Sequence, residues 1–239
     1  FMKVGPNILK NLSPRPKVIR KLLGYLAMLL FSTLTKTKAR GRHNLPPKGP
    51  FIVVVNHFSL IDGAFVVYGL LRPGIFLMAS DQHVDWFYFW APWLYGLIPL
   101  DREQLAPSVI KQAISAIKNG EILVIFPEAT SNSTQLRHAK KGAAYLSAVT
   151  KVPVVPMSLE GTTNAWKSIF RGIRPTIKIS IGKKFGPVNL KKYGKSKDEA
   201  LKNFGDEIMC RIAALMPEKH HGVFKGNRRI KDIRIENDR

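Results

Sequence analysis

Apolar and polar positions alternate along the chain in blocks that predict an α/β domain. Short runs rich in apolar and β-branched residues predict strands at residues 51–55, 75–79, 96–100, 122–126, 152–159 and 176–181. Helix-like periodicity predicts helices at residues 63–71, 86–95, 106–119, 140–150 and 196–215. Strands that alternate with helices in this way are typical of an α/β fold.

The N-terminal part of the chain combines positive charge with one apolar run. Residues 1–61 contain no acidic residue, and their lysines and arginines bracket the sequence LLGYLAMLLFSTL at 22–34. This run is shorter than the roughly 20 apolar residues that a helix needs to cross a bilayer. It predicts a helix in the membrane interface, with its apolar side in lipid and the flanking cations on anionic headgroups. A core helix with solvated ends is the alternative.

The whole chain is strongly basic, which narrows the class of partner. Its 239 residues include 38 Lys and Arg against 16 Asp and Glu, a formal net charge of +22. Such a charge attracts polyanions, either nucleic acid or an anionic membrane surface. We expect no nucleic-acid partner, because no zinc-finger, helix-turn-helix or RNA-recognition pattern accompanies the charge.

The length allows one sizeable core, and we divide the chain into three segments. Residues 1–42 are the basic, membrane-associating helical segment, residues 43–216 the main domain, and residues 217–239 a basic C-terminal tail, either mobile or a lid. The aromatic segment DWFYFWAPWLY at 85–95 is compatible with a helix that dips into lipid, lines an acyl pocket or lies in the core. The scattered histidines do not have the spacing of metal ligands, so we expect no metal site.

Candidate chemistry gathers where apolar runs end. In the stretch IVVVNHFSLID at 52–62, His57 and Asp62 stand five positions apart. On a helix these side chains would differ in direction by about 140°, and on a strand they would face opposite sides, so only a turn brings them together. Three further polar stretches follow apolar runs, at 96–102, 126–131 and 152–156. Ligands of α/β proteins usually bind at such strand ends.

Together these stretches resemble four sequence blocks of the glycerolipid acyltransferase superfamily, which includes the lysophosphatidic acid acyltransferases. The blocks are N-H-x-x-x-x-D, G-x-x-x-x-D-R, F-P-E-G-T-R-S and V-P-[IV]-[VI]-P, and the resemblance covers residues 40–185. It implies an α/β fold with a mixed, mostly parallel sheet flanked by helices, and an N-terminal membrane-associating helical segment. It also implies a peripheral or monotopic protein on the cytoplasmic face of the membrane.

The resemblance further implies a reaction. A fatty acyl group would pass from acyl-CoA or acyl carrier protein, with no other cofactor, to the hydroxyl of a lysophospholipid. We expect this acceptor to be 1-acyl-glycerol-3-phosphate, used in membrane phospholipid synthesis. Another lysolipid or a glycolipid acceptor remains an alternative, as does a non-catalytic lipid-binding protein on the same fold.

Residue chemistry agrees with that reaction at the first block. Histidine, with an ordinary pKa of about 6.5, is suited to take the proton from a hydroxyl that attacks a thioester. We therefore predict that His57 is the general base and that Asp62 fixes its tautomer and stabilises the imidazolium. The acceptor hydroxyl takes the place of an enzyme nucleophile in this family, so we expect direct transfer without an acyl-enzyme on Ser59.

The other blocks predict the acceptor site. Arg102 is expected to bind a phosphate with its planar fork, with a surface ion pair to Asp101 or Glu103 as the alternative. The resemblance also implies that Glu128 and Thr130 hydrogen-bond the glycerol portion or hold the loop in shape. The full set of predicted substrate-binding residues is Asn56, Arg102, Glu128, Thr130, Lys140 and Lys141.

Two departures from the family pattern affect the acceptor site. Ala129 and Ser131 stand where the family block has Gly and Arg, and Ser80 stands where many members have Lys. The replacements remove positive charge expected at a phosphate. Lys140 and Lys141, with Arg137, are the nearby cations that could restore it.

Overall fold

The computed structural model describes residues 3–4, 10–79, 84–100, 106–129, 133–189, 194 and 196–238, with side chains for all of these except 3–4, 84–89 and 238. The strands are β1 (Lys3–Val4), β2 (Lys36–Arg40), β3 (Ile52–Val55), β4 (Gly74–Ala79), β5 (Val84–Asp85), β6 (Ile98–Leu100), β7 (Ile122–Ile125), β8 (Val154–Glu160) and β9 (Thr176–Ile181). The helices are α1 (Lys17–Leu34), α2 (Asp62–Leu70), α3 (Trp86–Tyr95), α4 (Pro107–Lys118), α5 (Gly142–Thr150), α6 (Ala165–Phe170), α7 (Lys197–Ala214) and α8 (Arg228–Asp238).

A seven-stranded sheet organises the described part of the chain, in the order β2-β9-β8-β3-β7-β4-β6. Neighbouring strands are parallel throughout except for the antiparallel pair β8 and β9. The predicted mixed, mostly parallel sheet is therefore confirmed. The C-terminal ends of β3, β4, β6, β7 and β8 all lie at one edge, which we call the carboxyl edge.

Two apolar cores cover the two faces of this sheet. Alternation along β3 shows the division, because Ile52 and Val54 belong to the core with α4, α5 and α7, whereas Val53 and Val55 belong to the core with α1 and α2. All four side chains are buried. A central strand covered on both faces reads as a continuous apolar run, which is the pattern that predicted it.

Helix α1 packs on the second core by one face only. Arg20, Gly24 and Phe31 are buried, and a Cβ on Gly24 would lie 2.9 Å from Val67 Cγ1, so the helix approaches α2 closely. Its opposite side exposes a row of large apolar side chains: Val18, Ile19, Leu22, Tyr25, Leu26, Leu29 and Leu30. Among the described residues, none of the helices has the length and apolar character needed to span a bilayer.

The N-terminal half of α1 is fixed to the domain by a buried ion pair. Arg20 Nη2 lies 2.8 Å from Glu121 Oε1, and Nη1 donates to the Gly74 carbonyl at 3.1 Å. Both partners lie where strands β7 and β4 begin, at the sheet edge opposite the carboxyl edge. Removing one member of such a pair leaves a buried charge unpaired, so the pair makes α1 an integral part of the domain.

The C-terminal segment differs from its prediction. Residues 217–238 form two 3₁₀ turns and α8, and Ile230 and Ile233 of α8 are buried in the first core. Glu207 of α7 bonds Arg229 of α8, and Arg211 of α7 bonds Glu236 of α8, which joins the two helices. The expectation of a mobile tail or lid is therefore wrong for this segment, because apolar contacts and ion pairs hold it on α7.

Candidate active site

The turn between β3 and α2 brings His57 and Asp62 together, as predicted. Asp62 is the first residue of α2, and its Oδ2 accepts hydrogen bonds from His57 Nδ1 at 3.0 Å and from the backbone N–H groups of Phe58 and Ser59 at 2.8 Å each. The carboxylate is fully buried, whereas the His57 side chain is 18% exposed. Because a carboxylate only accepts, the proton of the neutral imidazole lies on Nδ1 and the lone pair lies on Nε2.

A row of aromatic rings supports the imidazole. His57 stacks on Phe126 with ring centroids 4.2 Å apart and an angle of 24°, and Phe126 stacks on Phe76 at 6.3 Å. Phe126 follows β7, the parallel neighbour of β3, so adjacent strand ends place the two rings side by side. With Asp62 at Nδ1 and Phe126 on one face, the orientation of the His57 ring is fixed from two directions.

Glu128 joins the β7 turn to the β3 turn. Its Oε1 accepts from the His57 backbone N–H at 3.3 Å, and its Oε2 accepts from the Arg137 backbone N–H at 3.2 Å. Burial raises the pKa of this carboxyl to about 7, an effect that the two backbone hydrogen bonds partly oppose. Glu128 was predicted to bind the substrate or hold the loop in shape, and its observed bonds are those of a loop-holding residue.

Ala129 adopts a left-handed backbone conformation, with φ of 55°. The family block that this stretch resembles has glycine here, and glycine adopts positive φ without a steric penalty. The turn therefore keeps a glycine-type backbone although the side chain has changed, at a cost of about 1 kcal/mol. The replacement of Gly by Ala at 129 thus leaves the backbone of this residue strained.

Asn56 supports the site instead of contacting a substrate. Its side chain is fully buried; Nδ2 donates to the Leu159 carbonyl at 3.0 Å, and Oδ1 accepts from the Leu159 N–H at 2.8 Å. These two bonds join the end of β3 to β8. We therefore remove Asn56 from the predicted substrate-binding set, because its amide is engaged by the backbone.

The remaining predicted residues have varied positions. Arg102 and Thr130 lie outside the described residues, as do the departures Ser80 and Ser131. Lys140 and Lys141 are exposed; the Lys140 backbone N–H donates to the Pro127 carbonyl at 2.8 Å, and Lys141 Nζ bonds Asp198 of α7. The loop after β7 thus carries both lysines, but the structure gives neither of them a role at His57.

The C-terminal segment also contacts the site, which the sequence did not indicate. The His220 ring lies 5.6 Å from the Phe58 ring, and the His220 carbonyl accepts from the Leu136 N–H at 2.8 Å. Leu136 precedes Arg137, whose N–H bonds Glu128. These contacts connect residues far apart in sequence, and no local pattern at His220 could have identified them.

The arrangement is suited to proton transfer. A buried carboxylate orients a partly exposed histidine at the edge of an α/β sheet where ligands bind. In the described ranges, no three His, Cys, Asp or Glu side chains form a group that could hold a metal ion.

Comparison with known proteins identifies the family. The model of the Acyltransferase family matches residues 36–160, which include both the β3–α2 turn and the loop after β7. The chain belongs to this family, and the resemblance drawn from its four sequence blocks is confirmed.

Individual relatives agree with this assignment. The chain is 30% identical over 151 residues to the 1-acyl-sn-glycerol-3-phosphate acyltransferase of Bacillus subtilis (strain 168), which covers 61% of this chain and 71% of that protein. It is 30% identical over 149 residues to the human 1-acyl-sn-glycerol-3-phosphate acyltransferase alpha, but spans only 50% of that protein. The crystal structure of the 1-acyl-sn-glycerophosphate acyltransferase PlsC from Thermotoga maritima superposes with a TM-score of 0.56 at 25% identity, over 80% of this chain and 77% of that one.

Proposed function

We propose that this protein transfers a fatty acyl group from a thioester, acyl-CoA or acyl carrier protein, to the free hydroxyl of 1-acyl-glycerol-3-phosphate. The observation that carries the proposal is the 3.0 Å contact between His57 Nδ1 and the buried Asp62 carboxylate at the carboxyl edge. The named activity of the Bacillus and human relatives supports the choice of acceptor.

The proposed reaction needs one base and no enzyme nucleophile. His57 Nε2 takes the proton of the lipid hydroxyl as its oxygen attacks the thioester carbonyl, which forms the new C–O bond. Asp62 stabilises the imidazolium formed at that moment. When the tetrahedral intermediate collapses, the C–S bond breaks and the imidazolium returns the proton to the departing sulfur.

Acceptor recognition is assigned to the other predicted residues of the sequence blocks. Arg102 binds the acceptor phosphate and Thr130 the glycerol portion, while Lys140 and Lys141 add positive charge from the loop after β7. Glu128 holds that loop against the His57 backbone. The replacements at Ser131 and Ser80 favour a second candidate acceptor, a lysolipid with a different headgroup or a glycolipid, since they remove cations expected at a phosphate.

The proposal includes a peripheral or monotopic location on an anionic membrane surface, on its cytoplasmic face. The exposed apolar row of α1 supports it, and so do Trp90 and Trp93 of α3, which are about half exposed. Tryptophan favours the membrane interface because its ring is apolar and its N–H polar. Lysines at the N-terminal end of α1 are placed to meet anionic headgroups.

The test is a comparison of two histidine substitutions. His57→Ala should reduce thiol release from acyl-CoA in the presence of lysolipids by about a thousandfold or more, since it removes the base. The matched control is His43→Ala, because His43 is exposed and lies outside the β3–α2 turn. Circular dichroism and vesicle binding should be unchanged in both variants. Full activity of His57→Ala would refute the mechanism.

A panel of lysolipids, read out by lipid mass analysis, identifies the acceptor. Product formed from lysophosphatidic acid alone supports the leading assignment. Product from another lysolipid or from a glycolipid supports the second candidate. Vesicle binding by the wild-type protein without thiol release from any acceptor would identify a non-catalytic lipid-binding protein.

A further inference from the structure

The segment between β8 and β9 (residues 161–175) lies beside the candidate site and has no assigned role. It begins where β8 ends at the carboxyl edge, one residue beyond the strand whose Leu159 bonds Asn56. Ala165, the first residue of α6, is buried in the core that contains α1 and α2. The segment is therefore anchored at the same edge as His57.

Its outer part exposes large apolar side chains among cations. Phe170 is 73% exposed and Ile173 is 58% exposed. Lys167 and Arg171 are exposed on either side of Phe170. The sequence contains no acidic residue between 161 and 197, so every charged residue of the segment itself is a cation. Exposed apolar residues flanked by cations are the composition of surfaces that enter the headgroup region of anionic membranes.

Direct contacts join this segment to the C-terminal end of α1. The Trp166 ring lies 6.2 Å from Phe31 of α1, and it stacks on Phe170 at 5.7 Å with an angle of 24°. Arg174 Nη2 donates to the carbonyls of Ser32 and Thr35 at 2.8 and 3.0 Å, which satisfies the last turn of the helix. Phe170 is thus linked through Trp166 to the buried Phe31, next to the C-terminal end of α1.

We propose that Phe170 and Ile173 form a second membrane contact, inserted into the interface beside α1, with Lys167 and Arg171 on anionic lipid headgroups. The inference rests on the proposed membrane location and extends it to a part of the chain outside the N-terminal segment. This second contact lies at the carboxyl edge, next to the C-terminal end of α1, so together with α1 it holds the edge with His57 near the lipid.

The double substitution Phe170→Ser with Ile173→Ser tests the contact. In co-sedimentation with vesicles of phosphatidylglycerol and phosphatidylcholine, the partition coefficient of the variant should be at least about tenfold lower than that of the wild type. The reason is that two apolar side chains no longer leave water. The matched control is Ile235→Ser, since Ile235 is 54% exposed on α8, on the other face of the sheet. This control should bind vesicles as the wild type does.

Charge is tested separately. Lys167→Gln with Arg171→Gln should weaken binding to vesicles that contain phosphatidylglycerol and leave binding to pure phosphatidylcholine vesicles unchanged. Equal loss on both vesicles would contradict the assignment of these cations to headgroups.

Activity measurements separate this inference from the proposed reaction. The Phe170/Ile173 variant should release thiol at the wild-type rate when the lysolipid is dispersed in detergent, and more slowly when it is embedded in vesicles. A wild-type protein without acyl transfer would end the proposed reaction, but the vesicle comparison would still stand. The inference is overturned if the double variant binds vesicles as the wild type does. If sedimentation velocity also shows that the substitutions dissociate a dimer of the wild-type protein, the surface is a contact between two copies of the chain.

If the double variant does not fold, a spin label attached to Ile173→Cys tests whether this position enters the membrane. Cys210 is buried, which directs the label to the new thiol. On vesicles, the label should become more accessible to oxygen and less accessible to a water-soluble relaxation agent. The opposite change would place Ile173 in water and overturn the inference.

Discussion

Asp62→Asn separates the charge of this residue from its hydrogen bonds. All three donors around the side chain, His57 Nδ1 and the N–H groups of Phe58 and Ser59, converge on Oδ2. Oδ1 is buried and has no hydrogen-bond partner among the described residues. An asparagine must therefore place its oxygen at the Oδ2 position, because the NH₂ group there would face three donors. The variant keeps the His57 tautomer and loses only the negative charge.

The size of the effect follows from the geometry. Two unit charges at 3.0 Å attract by about 5 kcal/mol at an effective dielectric constant of about 20, which is an upper bound for the Asp62–imidazolium interaction. The difference between a charged and a neutral hydrogen bond, about 1.5 kcal/mol, is a lower bound. We expect an intermediate loss of about 3 kcal/mol in the transition state, or about a hundredfold in kcat.

Stability provides the contrast. Asp62→Asn should unfold in urea near the wild-type midpoint, whereas Asp62→Ala leaves two backbone donors without partners and should lose about 1–3 kcal/mol for each. The assay is thiol release under saturating substrates, together with urea unfolding of both variants. Asparagine with wild-type kcat would refute the role of the charge. A loss in kcat equal to that of His57→Ala would show that the tautomer is not preserved.

Three further predictions concern the loop after β7 and helix α1. Because the pKa of Glu128 is raised from 4.5 to about 7, only the folded state holds this proton between those values, so this group makes stability fall as pH rises through the window. The Glu128→Gln variant lacks this proton, so the difference between its free energy of unfolding and that of the wild type should increase by up to about 3 kcal/mol as pH rises from 4.5 to about 7. If urea unfolding gives the two proteins the same dependence of stability on pH, the raised pKa is contradicted. Ala129→Gly should raise the free energy of unfolding by about 0.5–1 kcal/mol, since φ is 55°, and a lower thermal midpoint would show that the turn is not strained. Arg20→Met should lower it by up to about 3 kcal/mol because Glu121, whose side chain is only 13% exposed, is left unpaired, whereas the exposed-site control Lys17→Met should change it little.

Much of the fold could be predicted from apolar patterning. The bounds of α3, Trp86–Tyr95, agree with the prediction, and β3 differs from its predicted run by one residue. Strand β2 was not predicted because its sequence, KTKAR, has no apolar run. It is stabilised by parallel pairing with β9 and leaves every second side chain in solvent. Such a strand cannot be recognised from its own sequence, because it depends on pairing with another strand.

The C-terminal segment illustrates a second limit. Most residues of helix α8 are polar or basic, and only Ile230 and Ile233 contribute to the core. Arg229 pairs with Glu207 of α7, 22 residues away, as well as with Glu236 of its own helix. A charge pattern taken alone indicates a solvated tail, since the partner that neutralises it lies on another element.

In the candidate site, the local pair could be predicted and the distant support could not. His57 and Asp62 share one turn, so their spacing was sufficient. Glu128 bonds the His57 backbone across 71 positions, and Asn56 bonds Leu159 across 103. These contacts exist because parallel strands place their ends side by side, and sequence spacing carries no information about which ends are neighbours.

The burial of Arg20 against Glu121 limits how the protein can be simplified in the laboratory. Deleting α1 would remove the exposed apolar row, but it would also remove the contact between Phe31 and Phe65 and leave the Glu121 carboxylate without its partner. A protein truncated before α2 would therefore not keep the packing of the full domain. Replacing outward side chains such as Leu22, Leu26 and Leu29 with polar residues keeps every inward contact of the helix and is the appropriate route to a lipid-independent variant.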